Sequence, residues 1–224
     1  MARAFRNNAT PSVVVIGLGR FGTAVAESLI RLGQEVLAIE ADSALVERWA
    51  DELTHVVRAD STDDEALRQL GVGDFDRAVV AIGTDIEASV LTVLALVEAG
   101  VDEIWAKAVT RKHGRILERV GAHHVIYPEF DMGERVAHVL AGRMLDYIEF
   151  GDQFAIARTN APKMTWDMTL AESGARTRHG VTIVAVKRVG EDFTYVRPET
   201  QVHQRDQLIV SGPTDAVEKF CALQ

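Results

Sequence analysis

The chain has 224 residues, 47% hydrophobic and 25% charged, with a net charge of −9 and a single cysteine, Cys221. That length admits one large domain or a domain with a smaller companion. The acidic balance excludes a general nucleic-acid coat, which needs a basic face against phosphates, and one cysteine excludes an internal disulfide and suits a reducing cytoplasm.

Met1 to Pro11 carries arginines and asparagines but no apolar stretch of the kind a secretory leader has. No apolar run reaches the roughly 18–20 residues that span a bilayer, so any membrane connection is expected through a partner. Ser12 to Gly17 is a β-branched run, read as a buried parallel strand. Phe21, Val25, Leu29 and Leu32 then recur at helical spacing until Gly33. Glu35 to Glu40 is a second strand, and Asp42 or Ser43 can cap the helix after it. His55 to Ala59 reads as a third strand, with Thr62 and Glu65 as a capping box for the next helix.

Arg77 to Ile82 is a fourth strand. Asp85 to Ala99 is a helix apolar on most sides and therefore expected to be buried. Glu103 to Val109, Lys112 to Val120 and His123 to Tyr127 complete the alternation as strand, helix and strand. Strands alternating with helices predict βαβ units, hence an α/β fold with a Rossmann-type doubly wound parallel sheet.

Beyond Pro128 the pattern changes. Glu129 to Ile148 reads as one long helix with Val136, Leu140, Met144 and Tyr147 along a stripe. From Gly151 onward short strands and turns predict a small α+β lobe. Its elements are a strand at Phe154 to Arg158, a helix at Asp167 to Ser173, a hairpin of Val181 to Arg188 with Phe193 to Val196, a strand at Gln207 to Ser211, and a helix from Thr214 to Leu223. The expected domains are 10–148, including the linking helix, and 149–224.

Chemistry concentrates at Gly17-Leu18-Gly19-Arg20-Phe21-Gly22. A strand precedes this G-x-G-x-x-G, a helix follows, and an acid ends the next strand, which is the context of a dinucleotide fingerprint. Gly17 permits the tight turn, Gly19 lets a diphosphate approach the backbone, and Gly22 allows close helix–strand packing. Glu40 is placed to accept hydrogen bonds from both ribose hydroxyls and to repel a 2′-phosphate. Asp60, Ser61 and Thr62 lie where an adenine would sit, or cap a helix; Thr84 and Asp85 carry the same two readings. Lys107, in an otherwise apolar strand, calls for an anionic partner, a phosphate or a carboxylate. The seven histidines are scattered, and the pair His123-His124 is a poor chelate, since adjacent strand residues face opposite ways.

The stretches Val15 to Gly22, Val79 to Gly83, Ile104 to Ala108 and Tyr127 to Gly133, with Pro198, Gln201, Asp206 and Leu208 further on, resemble the Ktr/Trk-type potassium-uptake regulators. These are RCK proteins, and the likeness is to the KtrA/TrkA-type cytoplasmic gating subunits. The resemblance implies an N-terminal lobe that binds ATP or ADP, or NAD(H), and a homo-oligomer built from dimers into an octameric ring. It also implies docking beneath an integral-membrane potassium transporter, at the inner face of the plasma membrane. By the same resemblance Arg20 contacts phosphates at a subunit interface, and Glu129 helps hold a divalent cation, Mg2+ or Ca2+, near the γ-phosphate. Arg176 corresponds to an arginine used for cyclic di-AMP in the C-terminal lobe, although Ser173 to Arg178 is less apolar than the usual site. The other readings of the same glycine loop are a small NAD(H)-dependent oxidoreductase and a redox-sensing repressor. The first lacks a recognisable proton donor, and the second lacks a helix-turn-helix and a basic face.

Overall fold

The computed structural model describes residues 12–141, 144–150 and 153–223. The reading of Met1 to Pro11 and the composition change at Gly151 fall outside them. The chain divides by its contacts into a unit ending at Glu129 and a unit beginning at Phe130.

The first unit has six strands: β1 (Ser12–Ile16), β2 (Glu35–Glu40), β3 (His55–Arg58), β4 (Arg77–Val80), β5 (Glu103–Lys107) and β6 (His124–Ile126). They are joined by α1 (Arg20–Arg31), α2 (Ser43–Trp49), α3 (Asp64–Gln69), α4 (Ile86–Glu98) and α5 (Arg111–Val120). All ladders are parallel and the order is β3-β2-β1-β4-β5-β6. That is the doubly wound order in which a crevice opens where the winding reverses, here between β1 and β4. Val14, Ile16, Ile39, Val80 and Ile104 are buried among helix residues such as Leu67, Leu96 and Leu117. Val13, Val15, Val36 and Ala38 pack with Ala26 of α1 in a second layer. Strands buried on both faces read as continuous apolar runs, which is why these segments lack alternation.

Two local expectations are corrected here. Helix α3 is capped by Asp63, whose carboxylate accepts from the Glu65 and Ala66 amides at 2.9 and 3.3 Å. Thr62 instead donates to Asp60, so Thr62 and Glu65 form no capping box. Helix α4 is not buried on most sides. It turns Ser89, Thr92, Val93 and Leu96 inward and leaves Ile86, Leu91, Leu94 and Val97 exposed. A sheet covers only one flank of a helix, so an all-round apolar sequence leaves a face over.

Helix α6 (Pro128–Ala141) crosses from one unit to the other. The long helix expected over Glu129 to Ile148 ends at Ala141, and Met144–Phe150 is strand β7. A boundary at 148 would cut this strand. The reason is tertiary: β7 pairs antiparallel with β8 (Phe154–Asn160), burying Met144 and Tyr147, and a ladder with a neighbour outweighs helical periodicity. A register shift between Met144 and Asp146 also lets residues at helical spacing share a buried side.

The second unit continues with β9 (Met168–Thr169), α7 (Leu170–Ser173), α8 (Ala175–His179), β10 (Thr182–Lys187), β11 (Thr194–Tyr195), β12 (Gln201–Val202), β13 (Gln207–Pro213) and α9 (Thr214–Cys221). Its main sheet runs β11-β10-β13-β8-β7 and is antiparallel throughout, and β10 with β11 is the expected hairpin. Helix α7 begins with the Thr169–Glu172 capping box, which the sequence reading passed over. Tyr147, Leu208, Val210, Val217 and Phe220 form a separate core. Among the described residues no helix is long and apolar enough to cross a membrane.

Phe220 is fully buried at the centre of this small core. Phe220→Ala is expected to cost about 3–5 kcal/mol in denaturant unfolding, because the lobe has little other apolar mass to close the cavity. A loss below about 1 kcal/mol in that measurement contradicts the assigned core.

Candidate functional site: a cleft at the reversal of the parallel sheet

The strand-order reversal produces a cleft of about 900 Å³ above the carboxyl ends of β1, β2, β4 and β5. Gly17, Gly19, Arg20, Phe21, Glu40, Asp60, Ser61, Thr84, Lys107 and Glu129 all line it. Of the residues singled out in the sequence, Leu18 and Gly22 lie beneath the wall, both buried.

The loop geometry follows from its glycines. Gly17 has φ of +95°, a conformation side chains rarely adopt, and its amide donates to the Ile39 carbonyl at 2.8 Å. A Cβ on Gly22 would overlap the Gly17 carbonyl oxygen, so only glycine lets α1 start this close to β1. Gly19 is the N-cap in extended conformation and offers no side-chain acceptor. The first amides of α1 therefore have no helical partner, and no acidic side chain occupies its first turn. Open amides and the positive end of the helix dipole together suit an anionic group.

Glu40 is more engaged than its sequence position suggests. One carboxylate oxygen accepts from the Leu18 amide at 2.6 Å; the other accepts from Ala41 at 2.8 Å and Asp42 at 3.0 Å. A carboxylate has about four acceptor sites, so roughly one remains for a ribose hydroxyl while these bonds persist. The Leu18 contact was not legible in sequence, because it joins the loop after β1 to the end of β2, which only the sheet brings together.

Several of the remaining residues are engaged in hydrogen bonds within the chain. Asp60 accepts from the Thr62 amide at 2.9 Å and hydroxyl at 2.7 Å, and these bonds hold its carboxyl below the usual range. Ser61 is buried and bonded at 2.8 Å to the Thr92 hydroxyl of α4. Thr84 is exposed at the rim, and Asp85 caps α4 through the Ala88 amide at 3.0 Å. His123 and His124 separate as expected: one accepts from the Ile104 amide and the other stacks on Trp105.

Lys107 finds the anion that its position required. Its Nζ lies 2.6 Å from a Glu129 oxygen, and its side chain is only 11% exposed while that of Glu129 is 67% exposed. Nζ also sits 5.8 Å from the centre of the Phe21 ring. The hydrogen bond from Lys107 is the main cause that lowers the Glu129 carboxyl below its ordinary range; the charge of Arg20 adds to it. A resident divalent cation takes several oxygen ligands, and among the described residues Glu129 has no second ligating group close enough to form a cluster. With an ammonium already on its carboxylate, Glu129 does not by itself fit a resident metal ion. Arg176, on α8 of the other unit, is exposed.

Fold and cleft define a class: a Rossmann-type parallel lobe with an open glycine-loop cleft, followed by a small antiparallel lobe. The TrkA-N domain model matches residues 13–128 and the TrkA-C domain model matches 162–224, so the chain belongs to the TrkA family of RCK-type potassium-uptake regulators. Ktr system potassium uptake protein C of Bacillus subtilis is 38% identical over 207 residues, which is 92% of this chain and 94% of that protein. Ktr system potassium uptake protein A of Vibrio alginolyticus is 36% identical over 202 residues, 90% of this chain and 92% of that one. The solved GsuK RCK domain has the same fold, with a TM-score of 0.67 at 18% identity, covering 98% of this chain and 48% of that chain. The GsuK channel bound to NAD gives 0.66 at 18% identity, covering 98% and 40%.

Two consequences are measurable. Glu40→Ala removes the acceptor of the Leu18 amide and should cost about 1–3 kcal/mol of stability, with faster hydrogen exchange at Leu18; unchanged exchange there would remove the tie. Lys107→Met should return the Glu129 carboxyl upward toward its ordinary range in a carbon-detected NMR titration. The sign follows from linkage: a depressed folded pKa gives stability that is present above the unfolded value and lost as pH falls through the folded one. In the variant, that acid-limb loss should shrink.

Proposed function

We propose that this chain is the cytoplasmic regulatory subunit of a Ktr/Trk-type potassium-uptake system, sensing an adenine nucleotide in the glycine-loop cleft. The carrying observation is that cleft, with open α1 amides beside Glu40, in a chain aligned almost end to end with Ktr proteins. Amides receive a diphosphate, and Glu40 meets the ribose through its remaining acceptor site. Arg20 and Lys107 supply the cations for further phosphates, and an arriving phosphate competes with Glu129 for Lys107. ATP carries one more charge-bearing group into that competition than ADP does. This differential affinity is what biases one conformation over another.

The exposed apolar face of α4, Ile86, Leu91, Leu94 and Val97, supports assembly with further copies of the chain. An octameric ring beneath a membrane transporter is the assembly this reading expects. A solved channel of the same fold carries NAD, which keeps NAD(H) among the ligands to be tested and sustains hydride transfer as the rival activity.

The test is a thermal-shift panel of ATP, ADP, NAD(H), NADP(H) and cyclic di-AMP on the intact chain. A ligand present at 100 times its Kd stabilises by about 2.7 kcal/mol. ATP or ADP should raise the midpoint and NADP(H) should not, given Glu40. In vesicles carrying the cognate transporter, potassium flux should differ between ATP and ADP. No response to any adenine nucleotide at millimolar concentration, or steady NADH oxidation with a substrate, defeats the proposal.

A further inference from the structure

A second group of chemistry-bearing side chains lies in the C-terminal unit and has no part in the nucleotide reading. Glu134, His138 and Glu149 bring a carboxylate oxygen, an imidazole nitrogen and a second carboxylate oxygen within 4.8 Å of one another. Glu134 and His138 are four residues apart on α6, a spacing that puts both side chains on one helix face. Glu149 comes from β7.

The surroundings orient these groups as a metal site's outer shell does. His138 places Nδ1 3.0 Å from a Glu218 oxygen of α9. A carboxylate held beside one ring nitrogen leaves the other nitrogen as the one to meet a metal. The ring also stacks on Tyr147, centres 4.3 Å apart and planes inclined by 21°. Tyr147 is buried and donates to one Glu149 oxygen at 2.9 Å, while the Thr214 hydroxyl donates to the other at 3.0 Å. Three carboxylates thus converge on one imidazole, and that excess of negative charge favours a cation.

We propose that Glu134, His138 and Glu149 bind a divalent transition-metal ion, zinc above others, that clips α6 to the sheet and helix of its own unit. A tetrahedral zinc with bonds of about 2.1 Å sets its ligands roughly 3.4 Å apart. Small rotations of Glu134 and Glu149, both exposed, close the present spread. One nitrogen with two carboxylate oxygens and a water is a zinc donor set; magnesium and calcium favour oxygen alone. A clip here has a mechanical consequence. No residue of α6 is fully buried, so its attachment to this unit rests on partial packing of Val139, the Arg135–Asp146 ion pair and the His138 contacts.

The experiment uses the untagged, chelator-stripped full chain, titrated with zinc against a chromophoric competitor, with magnesium, manganese and nickel in parallel. One zinc per chain is expected, with a raised thermal midpoint. His138→Gln should lower zinc affinity about 10–100-fold and abolish the thermal gain, and the exposed pair Glu134→Gln with Glu149→Gln should do the same. Cys221→Ser should leave binding unchanged: Cys221 is buried, and burial pushes its thiol up to about 11. Absence of saturable zinc binding, preference for magnesium over zinc, or zinc affinity in both ligand variants unchanged from that of the unsubstituted chain would overturn the site. None of these readouts depends on a nucleotide, so they separate this site from the cleft.

Discussion

Between the end of β1 and the start of α1 the backbone must turn sharply, keep its amides open, and still leave none of them stranded. The Leu18 amide shows how this is solved: it points at the end of β2 and meets the Glu40 carboxylate at 2.6 Å. A buried amide without an acceptor costs about 1–3 kcal/mol, so this bond holds the loop while the next amides face the cleft. The left-handed Gly17 and the missing Cβ of Gly22 make the turn sterically permissible. The placement of α1 and the mouth of the cleft follow from that junction, because α1 packs where the loop releases it.

The charges around the cleft are arranged with the same economy. Lys107 is too enclosed to be left alone, and Glu129 from the start of α6 neutralises it at 2.6 Å. A carboxylate that is mostly in water can let go, whereas an ammonium nearly out of water needs some anion at all times. Hence the pair is asymmetric: Glu129 is mostly in water and Lys107 is nearly enclosed. Asp60 and Ser61 have different duties, fastening the loop after β3 to itself and to α4.

The C-terminal unit meets a different constraint. Its antiparallel sheet covers a compact core, yet α6 contributes no fully buried side chain to it. Polar contacts therefore carry much of that helix's attachment. Arg135 reaches Asp146, and His138 lies between Glu218 and the Tyr147 ring. Such contacts are worth little each at an exposed site and respond to ions, which fits a segment that crosses from one unit to the next.

The parallel lobe was legible in the sequence because its central strands β1, β2 and β4 are buried almost throughout and read as apolar runs between helical segments, so local pattern and global fold agree. The glycine loop, Glu40 and Lys107 stood out for the same reason: each is a local departure from that pattern. What the sequence by itself determined was the α/β architecture, the family and the place of the cleft. Only the tertiary structure decided that Met144 to Phe150 is a strand, since its helical spacing loses to a ladder with β8 that lies beyond any local window. The same holds for the Leu18–Glu40 tie, the Lys107–Glu129 pair and the grouping of Glu134, His138 and Glu149. Each joins groups from separate elements, and a distance across a fold is not written in the spacing along a chain.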